Sequence, residues 1–458
     1  MRAVVVGGGI AGLASARRLE ALLPEAEVVL LEAEPRLGGK IVTERVDGLV
    51  IEGAPDSFLS RKERGVGLVE ELGLAGELIG RRPENARTFV RVGGELQPLP
   101  SGLTGMVPTD LDALESSSLL TDEGRERLAA EVNLPPAPPG EDESIASFAT
   151  RRLGPEAYDR IVEPLTTGIF GGDGERLSLQ ATFPSLRALE LEHGSVLRGL
   201  RAQPAPEGPY PPFVSLAPGM DRLVSVLAAA LERTRVRTAT PARAVRAASG
   251  AFEVELEDER IRADAVVVAT PAHAAAELLA DVDAGLAELH ADIPYGSSAI
   301  VTLAYRAEDV TRALDAYGYV IPRSAGSDVL ACTWTSSKWA GRAPADRVLV
   351  RVYAGRHGQR DVTAETDDVL FALAREEVAH IGVRAEPVLR RVHRWPLGMP
   401  QYVLGHPARL ARIEEAVAEH AGLAVAGAAY RGVGIPDCIR SGEEAAESVA
   451  RAVAGALR

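Results

Sequence analysis

Val4-Val5-Val6-Gly7-Gly8-Gly9-Ile10-Ala11-Gly12 is the stretch whose reading decides the fold. Three β-branched residues run straight into Gly7-x-Gly9-x-x-Gly12, so a strand is expected to end in a tight glycine turn. An apolar-periodic segment follows from Ile10 to about Leu23. A second apolar run, Val28 to Leu31, ends in Glu32. Strand, turn, helix, strand and acid are the parts of a βαβ unit. Gly7 lets the chain leave the strand sharply, Gly9 leaves no side chain between backbone and a pyrophosphate, and Gly12 lets helix and strand pack closely. The free N–H groups and the dipole of the helix start favour an anion there. Glu32 stands 20 positions after Gly12, the spacing at which a carboxylate reaches a ribose hydroxyl. The unit predicts dinucleotide binding through Gly7, Gly8, Gly9, Ile10, Ala11 and Gly12, with Glu32 and Ala33 on the nucleoside side. The bland alternative is a glycine-rich βα turn without a ligand.

At 458 residues the chain exceeds one ordinary core, and about two or three domains are expected. It is 46% hydrophobic and 25% charged, the composition of a globular protein. The net charge of −15 argues against nucleic acid as a partner. Cys332 and Cys438 are too few and too far apart for a disulfide framework or a CxxC metal site, and they suit a reducing compartment. Met1-Arg2-Ala3-Val4 leads directly into the first strand, so no signal peptide is expected. No apolar run of about 18 residues offers a transmembrane span. A cytoplasmic protein is the expectation, with peripheral membrane contact left open. Lys40, Lys62 and Lys338 are the only lysines among 50 basic residues. They mark places that need a compact point charge, or they are leftovers of compositional drift.

Arg36-Leu37-Gly38-Gly39-Lys40 is a second glycine turn, flanked by two cations. A nicotinamide site has no need of it. With Arg36, Gly39 and Lys40 beside the first turn, the expected dinucleotide is FAD held at full extension. Gly53-Ala54-Pro55-Asp56 is a small-residue turn suited to backbone contact with the flavin ring. Glu63 to Ile79 reads as helix, and Thr88 to Leu99 as a hairpin around Gly93-Gly94. Thr109 to Tyr158 is mostly helical, with start signals at Thr121 and Ser144, and the Pro-rich stretch 204–212 reads as a surface loop. Helix is expected again from Gly219 to about Leu231. Short strands are expected over Thr234–Arg237, Ala244–Ala247, Phe252–Leu256 and Ala265–Ala269, with Ala244 and Val245 among the cofactor contacts. From about 290 to 400 longer alternating strands suit an antiparallel sheet. Leu423 to Gly427 is a third strand that ends in glycine. The loop through Val433-Gly434-Ile435 then opens the C-terminal helix, whose N–H groups are expected near the flavin.

These residues carry a resemblance. The chain resembles the oxygen-dependent porphyrinogen oxidases of haem synthesis, within the FAD-containing amine oxidase superfamily, over essentially its whole length. Gly7–Gly12 and Glu32–Ile41 are superfamily motifs. The family motifs are Pro55-Asp56-Ser57-Phe58-Leu59 with Arg61-Lys62, Val107-Pro108-Thr109-Asp110, and Glu163-Pro164 through Gly168-Ile169-Phe170-Gly171-Gly172-Asp173. They continue in Arg394-Trp395-Pro396 with Pro400-Gln401-Tyr402, and in Tyr430-Arg431-Gly432 through Cys438. The string 55–62 looks most like the Gram-positive type, which oxidises coproporphyrinogen III to coproporphyrin III. Thr104 stands where mitochondrial-type protoporphyrinogen oxidases usually have Arg. Glu52-Gly53-Ala54-Pro55 departs from the family's usual Glu-Arg-Gly-Pro. The resemblance implies an α/β fold with a Rossmann-like FAD-binding domain assembled from residues 1–80, 215–290 and 405–458. It also implies an antiparallel α+β substrate domain from 81–94 and 291–404, and a helical insertion over 95–214.

The implied reaction removes six electrons from a porphyrinogen, with O2 as acceptor, H2O2 as by-product and a ferrochelatase as a transient partner. FAD carries the chemistry, so no catalytic triad or metal site is expected, and neither G-x-S-x-G nor H-E-x-x-H occurs. Lys62 is the candidate catalytic cation, pairing a substrate propionate or stabilising developing charge; the alternative is a solvated lysine. Trp395 and Tyr402 are candidates to flank the flavin. Gly168, Ile169 and Phe170, in an expected turn Gly168–Asp173, are candidates to border the macrocycle, with a plain helix–helix connection as the alternative; Tyr353 is a candidate to line the substrate cavity, with core packing as its alternative. Gly427, Val433, Gly434 and Ile435 complete the cofactor set. Arg81, Arg82 and Arg87 either steer an anionic substrate or form a solvated face. A protoporphyrinogen IX oxidase, another amine oxidase or desaturase of the superfamily, and a non-catalytic flavin-binding protein stay open as rivals.

Overall fold

A computed structural model describes residues 1–115, 117–140, 142–204 and 208–456. The expected loop over 204–212 thus lies partly, at 205–207, outside the described residues. The first strand, Arg2–Val6, sits in the middle of a five-stranded parallel sheet. The order is Arg235–Arg237, Glu27–Leu31, Arg2–Val6, Ala265–Val268 and Leu423–Val425. Its strands come from three widely separated parts of the chain. Both faces are covered, which is why Val4-Val5-Val6 and Val266-Val267-Val268 are apolar without alternation. Ala3 and Val5 point to one core, with helices Ile10–Leu22 and Ile435–Ala456. Val4 and Val6 point to another, under the antiparallel meander 244–248, 251–255 and 260–263 and the helices Ala272–Leu279, Ala284–Ala291 and His406–Ala418. The two helices on the first face touch through Gly442, where a Cβ would lie 2.0 Å from the Ala11 carbonyl oxygen.

The second sheet has seven strands. Their order is Leu389–Pro400, Tyr295–Arg306, Arg347–Ala354, Val329–Trp334, Gly318–Val320, Phe89–Val92 and Glu95–Pro98. All pairings are antiparallel except Gly318–Val320 with Phe89–Val92. Gly93 and Gly94 turn the hairpin at φ 60° and 87°, which explains the glycine pair. Helix Asp367–Ala379 packs Leu370, Ala374 and Val378 onto this sheet. A third, helical core gathers Leu128, Phe148, Ile161, Leu189 and Leu197. The start signals at Thr121 and Ser144 are side-chain caps, accepting from the Gly124 and Ser147 N–H groups at 3.1 Å each.

Two expectations change. The helix expected over 63–79 ends at Glu71. Gly73, at φ 72°, reverses the chain, and Leu78–Gly80 becomes a strand paired with Phe213–Leu216. Gly168-Ile169-Phe170 is not a turn but the last turn of helix Glu163–Phe170, and Gly171, at φ 57°, ends it. Among the described residues no helix is long and apolar enough to cross a membrane.

Candidate active site

The glycine turn is built by close contact. Gly7 adopts φ 109°, and a Cβ there would lie 2.7 Å from the Ala269 carbonyl oxygen; one on Gly12 would lie 1.8 Å from that of Gly7. Gly9 differs: a Cβ on it would meet nothing within 4 Å. The backbone is therefore open where a pyrophosphate would approach. Ile10 and Ala11 begin the helix, both buried. Glu32 accepts the Gly8 N–H at 2.6 Å and the Glu34 N–H at 2.8 Å, so its carboxylate braces the turn. Ala33 is exposed beside it. Arg36 donates to the Gly39 carbonyl at 2.6 Å and to that of Leu37 at 3.2 Å. Gly38 N–H donates to the Gly8 carbonyl at 2.8 Å, joining the two glycine turns. Ala244 and Val245 lie on the meander, where Val245 packs in one core with Val6 and Leu31.

Farther along, Gly427 adopts φ 120° with open space at its Cα, and its N–H donates to the Ser441 hydroxyl at 3.0 Å. The Tyr402 hydroxyl donates to the Ala428 carbonyl at 2.6 Å and accepts the Gly432 N–H at 2.9 Å. Tyr402 thus clasps the loop that runs through Val433 and Gly434 to Ile435, the first residue of the C-terminal helix. The Gly434 N–H donates to Asp437 at 3.2 Å, and Asp437 pairs with the Lys62 ammonium. The Lys62 side chain is 41% exposed, so it stays open to solvent while paired with Asp437. Lys40 is half-buried and, among the described residues, makes no hydrogen bond or ion pair; burial pushes its amine below the ordinary lysine range. Its charge acts on Cys438, as does that of Lys62. Two of the three lysines therefore flank the positive end of one helix.

The turn Gly53–Asp56 is held largely from the second sheet and from the short helix Thr335–Lys338 that follows one of its strands, besides the Gly53 N–H bond to the Val42 carbonyl at 2.7 Å. Trp395 Nε1–H donates to the Gly53 carbonyl at 2.9 Å and Arg351 Nη2–H to the Ala54 carbonyl at 2.6 Å. Beyond Pro55, Asp56 receives Lys338 Nζ at 2.9 Å and Trp339 Nε1 at 3.1 Å. Burial opposes the charge of Asp56, but Lys338 and Arg351 hold its carboxyl well below the usual range. Tyr353 lies under the Arg351 guanidinium, 5.1 Å away, and burial pushes its hydroxyl up to about 12. Gly168, Ile169 and Phe170 come from the helical part. Ile169 is 47% exposed, and the Phe170 carbonyl accepts from the buried Gln401 amide at 2.9 Å.

The structure brings Trp395 and Tyr353 to the 53–56 turn, and Lys62 to the start of the C-terminal helix. Lys338, Trp339 and Arg351 were not among the sequence candidates. The scarcity of lysine was the one signal pointing to Lys338. The open backbone at Gly9 and Gly427, and the buried Thr270 hydroxyl and His273 Nδ1 without hydrogen-bond partners, fit an extended dinucleotide.

The chain matches the model of the flavin-containing amine oxidoreductases over residues 10–450, and it belongs to that family. It is an FAD-dependent oxidoreductase. It is 34% identical to a coproporphyrinogen III oxidase of Bacillus subtilis (strain 168), over 96% of both chains. It is 30% identical to the protein of the same name from Staphylococcus aureus (strain NCTC 8325 / PS 47), over 97% of this chain and 98% of the relative. A crystal structure from Exiguobacterium sp. 255-15, assigned as a protoporphyrinogen oxidase, superposes with a TM-score of 0.88 at 34% identity, covering 98% of each chain.

Proposed function

We propose that this chain oxidises coproporphyrinogen III to coproporphyrin III, consuming three O2 and releasing three H2O2 per product. The carrying observation is end-to-end similarity to two coproporphyrinogen III oxidases, at 34% and 30% identity. When bound, FAD supplies two-electron oxidation in each of three rounds. Gly7 to Gly12, Arg36 and Gly39 would hold its pyrophosphate. The 53–56 turn and the Gly427–Ile435 loop would hold the ring end. Lys62 and Lys40 add positive charge to the dipole of the C-terminal helix, which favours the negative charge of a reduced flavin. Tyr353 and the helix end 168–170 face the macrocycle. The reading carries with it a cytoplasmic location and a transient hand-over of product to a ferrochelatase.

Protoporphyrinogen IX is the competing substrate, since the solved relative carries that assignment. Purified protein is expected to be yellow, to bleach with coproporphyrinogen III under nitrogen, and to recolour in air with release of H2O2. A yellow protein that never bleaches with any porphyrinogen refutes the reading. A higher kcat/KM for protoporphyrinogen IX moves it to the rival.

A further inference from the structure

Beside the 53–56 turn the structure gathers more positive charge than it neutralises. Arg81 follows strand Leu78–Gly80, Lys338 ends the short helix Thr335–Lys338, and Arg351 lies in strand Arg347–Ala354. The acid they share is Asp56. Lys338 pairs with it at 2.9 Å, Arg351 Nη1 stands 3.6 Å away, and Arg81 lies within its field. The neighbouring carboxylate, Glu52, is matched by its own partner, Arg342, at 3.3 Å. Three cations thus converge on one acid that remains ionised. Leaving such an excess in a largely buried place is unfavourable unless an anion joins it.

The side chains are poised for one. Arg351 is fully buried, yet its Nε and Nη1 have no hydrogen-bond partner. The Arg81 guanidinium is sandwiched between Phe213, 4.4 Å from the ring centre, and Tyr317, 4.6 Å. Stacking fixes its plane and leaves its N–H edge free; among the described residues no group accepts a hydrogen bond from it. Burial lowers the basicity of Lys338, and Asp56 works against that change. Arg81 and Lys338 are only part-buried, so the cluster communicates with solvent. Its inner end, Arg351, covers Tyr353.

We propose that Arg81, Lys338 and Arg351 form a carboxylate-binding site that seats a side-chain carboxylate of the substrate next to the 53–56 turn. The inference rests on the porphyrinogen reading above, and it names the group recognised and the residues that recognise it. A planar carboxylate matches the fork of an arginine held flat by two rings. The site makes this chain select porphyrinogens that bear free carboxylates at one edge of the ring.

The test compares coproporphyrinogen III with its tetramethyl ester, which keeps the macrocycle and loses the charges. The FAD-loaded parent is expected to favour the free acid. Arg81→Gln and Lys338→Gln are each expected to lower the acid-to-ester ratio of kcat/KM at least about tenfold, while Arg81→Lys keeps most of it. Binding of the product, coproporphyrin III, read by quenching of tryptophan fluorescence, is expected to weaken by a similar factor and to lose salt dependence. That binding measurement stands without turnover. If no porphyrinogen is oxidised by the parent, the proposed function fails while the site is still judged by binding. An acid-to-ester ratio and a product affinity that both stay unchanged in Arg81→Gln and Lys338→Gln overturn the site, as does an equal fall on acid and ester.

Discussion

At the scale of single residues, the glycines of the first turn separate into two kinds, and the difference can be measured. Gly12 is required by the protein itself, because a Cβ would sit 1.8 Å from the Gly7 carbonyl oxygen. A Cβ on Gly9 would meet nothing within 4 Å, and its φ of −70° is open to any residue. Gly9→Ala is therefore expected to leave the apoprotein's urea stability unchanged and to weaken FAD retention at least tenfold, about 1.4 kcal/mol. Gly12→Ala is expected to destabilise the apoprotein by about 2 kcal/mol or more. Absorbance of retained flavin and urea titrations of both variants decide this; a Gly9→Ala protein that holds FAD like the parent removes the pyrophosphate from this turn. Lys62 admits a similar test. Lys62→Ala is expected to keep its flavin and lose roughly tenfold in kcat/KM, about 1.4 kcal/mol. A change within about twofold would show that Lys62 does no more than pair with Asp437. The glycine roles were legible because a turn's steric needs are local. The neighbours of Asp56 were not, because Lys338 lies 282 positions away and only folding brings it near.

At the scale of elements, the strands and capped helices could be read because period and caps are written in neighbouring residues. Arg2–Val6 and the helices opened by Thr121 and Ser144 are examples. The strand Leu78–Gly80 could not, since its apolar residues also fit a helical period and only pairing with Phe213–Leu216 makes them a strand. The loop 427–434 shows the same limit in the site. Its glycines announced a ligand-side turn, but its fastening is Tyr402, which sequence alone placed as a flavin neighbour. Tyr402→Phe removes a donor to the Ala428 carbonyl and an acceptor for the Gly432 N–H. Two part-buried backbone groups then lose their partner, which costs about 1–3 kcal/mol. The variant is expected to unfold at lower urea by that amount and to release FAD faster, with the ring otherwise packed on His406, 4.3 Å away. Unchanged flavin release at reduced stability would confine Tyr402 to a packing role.

At the scale of the molecule, the loop at the C-terminal helix is tied to distant helices through buried neutral imidazoles, and this sets an acid limit on the fold. The Tyr430 carbonyl accepts from His406 Nε2 at 3.1 Å, and its hydroxyl faces His290 Nε2 at 3.1 Å. Both histidines are fully buried. Burial pushes His406 down to about 4, and it lowers His290 as well. In the unfolded chain each imidazole takes a proton near its ordinary value of 6.5. Between that value and about 4 the unfolded state thus binds more protons than the native one, and stability falls as pH falls. The contribution is fully present above pH 6.5 and gone below the folded value. Asp56 does not cancel this loss, because its depressed carboxyl favours the native state throughout the window and gives way only at still lower pH. From His406 alone the unfolding free energy is expected to drop by about 2 kcal/mol between pH 7.5 and pH 5. Urea unfolding of the holoprotein at the two pH values measures the drop. In His406→Gln, whose amide can still donate to the Tyr430 carbonyl, the pH dependence is expected to flatten by that amount even where overall stability is lower. A variant whose slope matches the parent's would mean that His406 takes up its proton at the same pH in the native and the unfolded protein, and the link between helix His406–Ala418 and the 427–434 loop would not be the acid-sensitive joint of the fold.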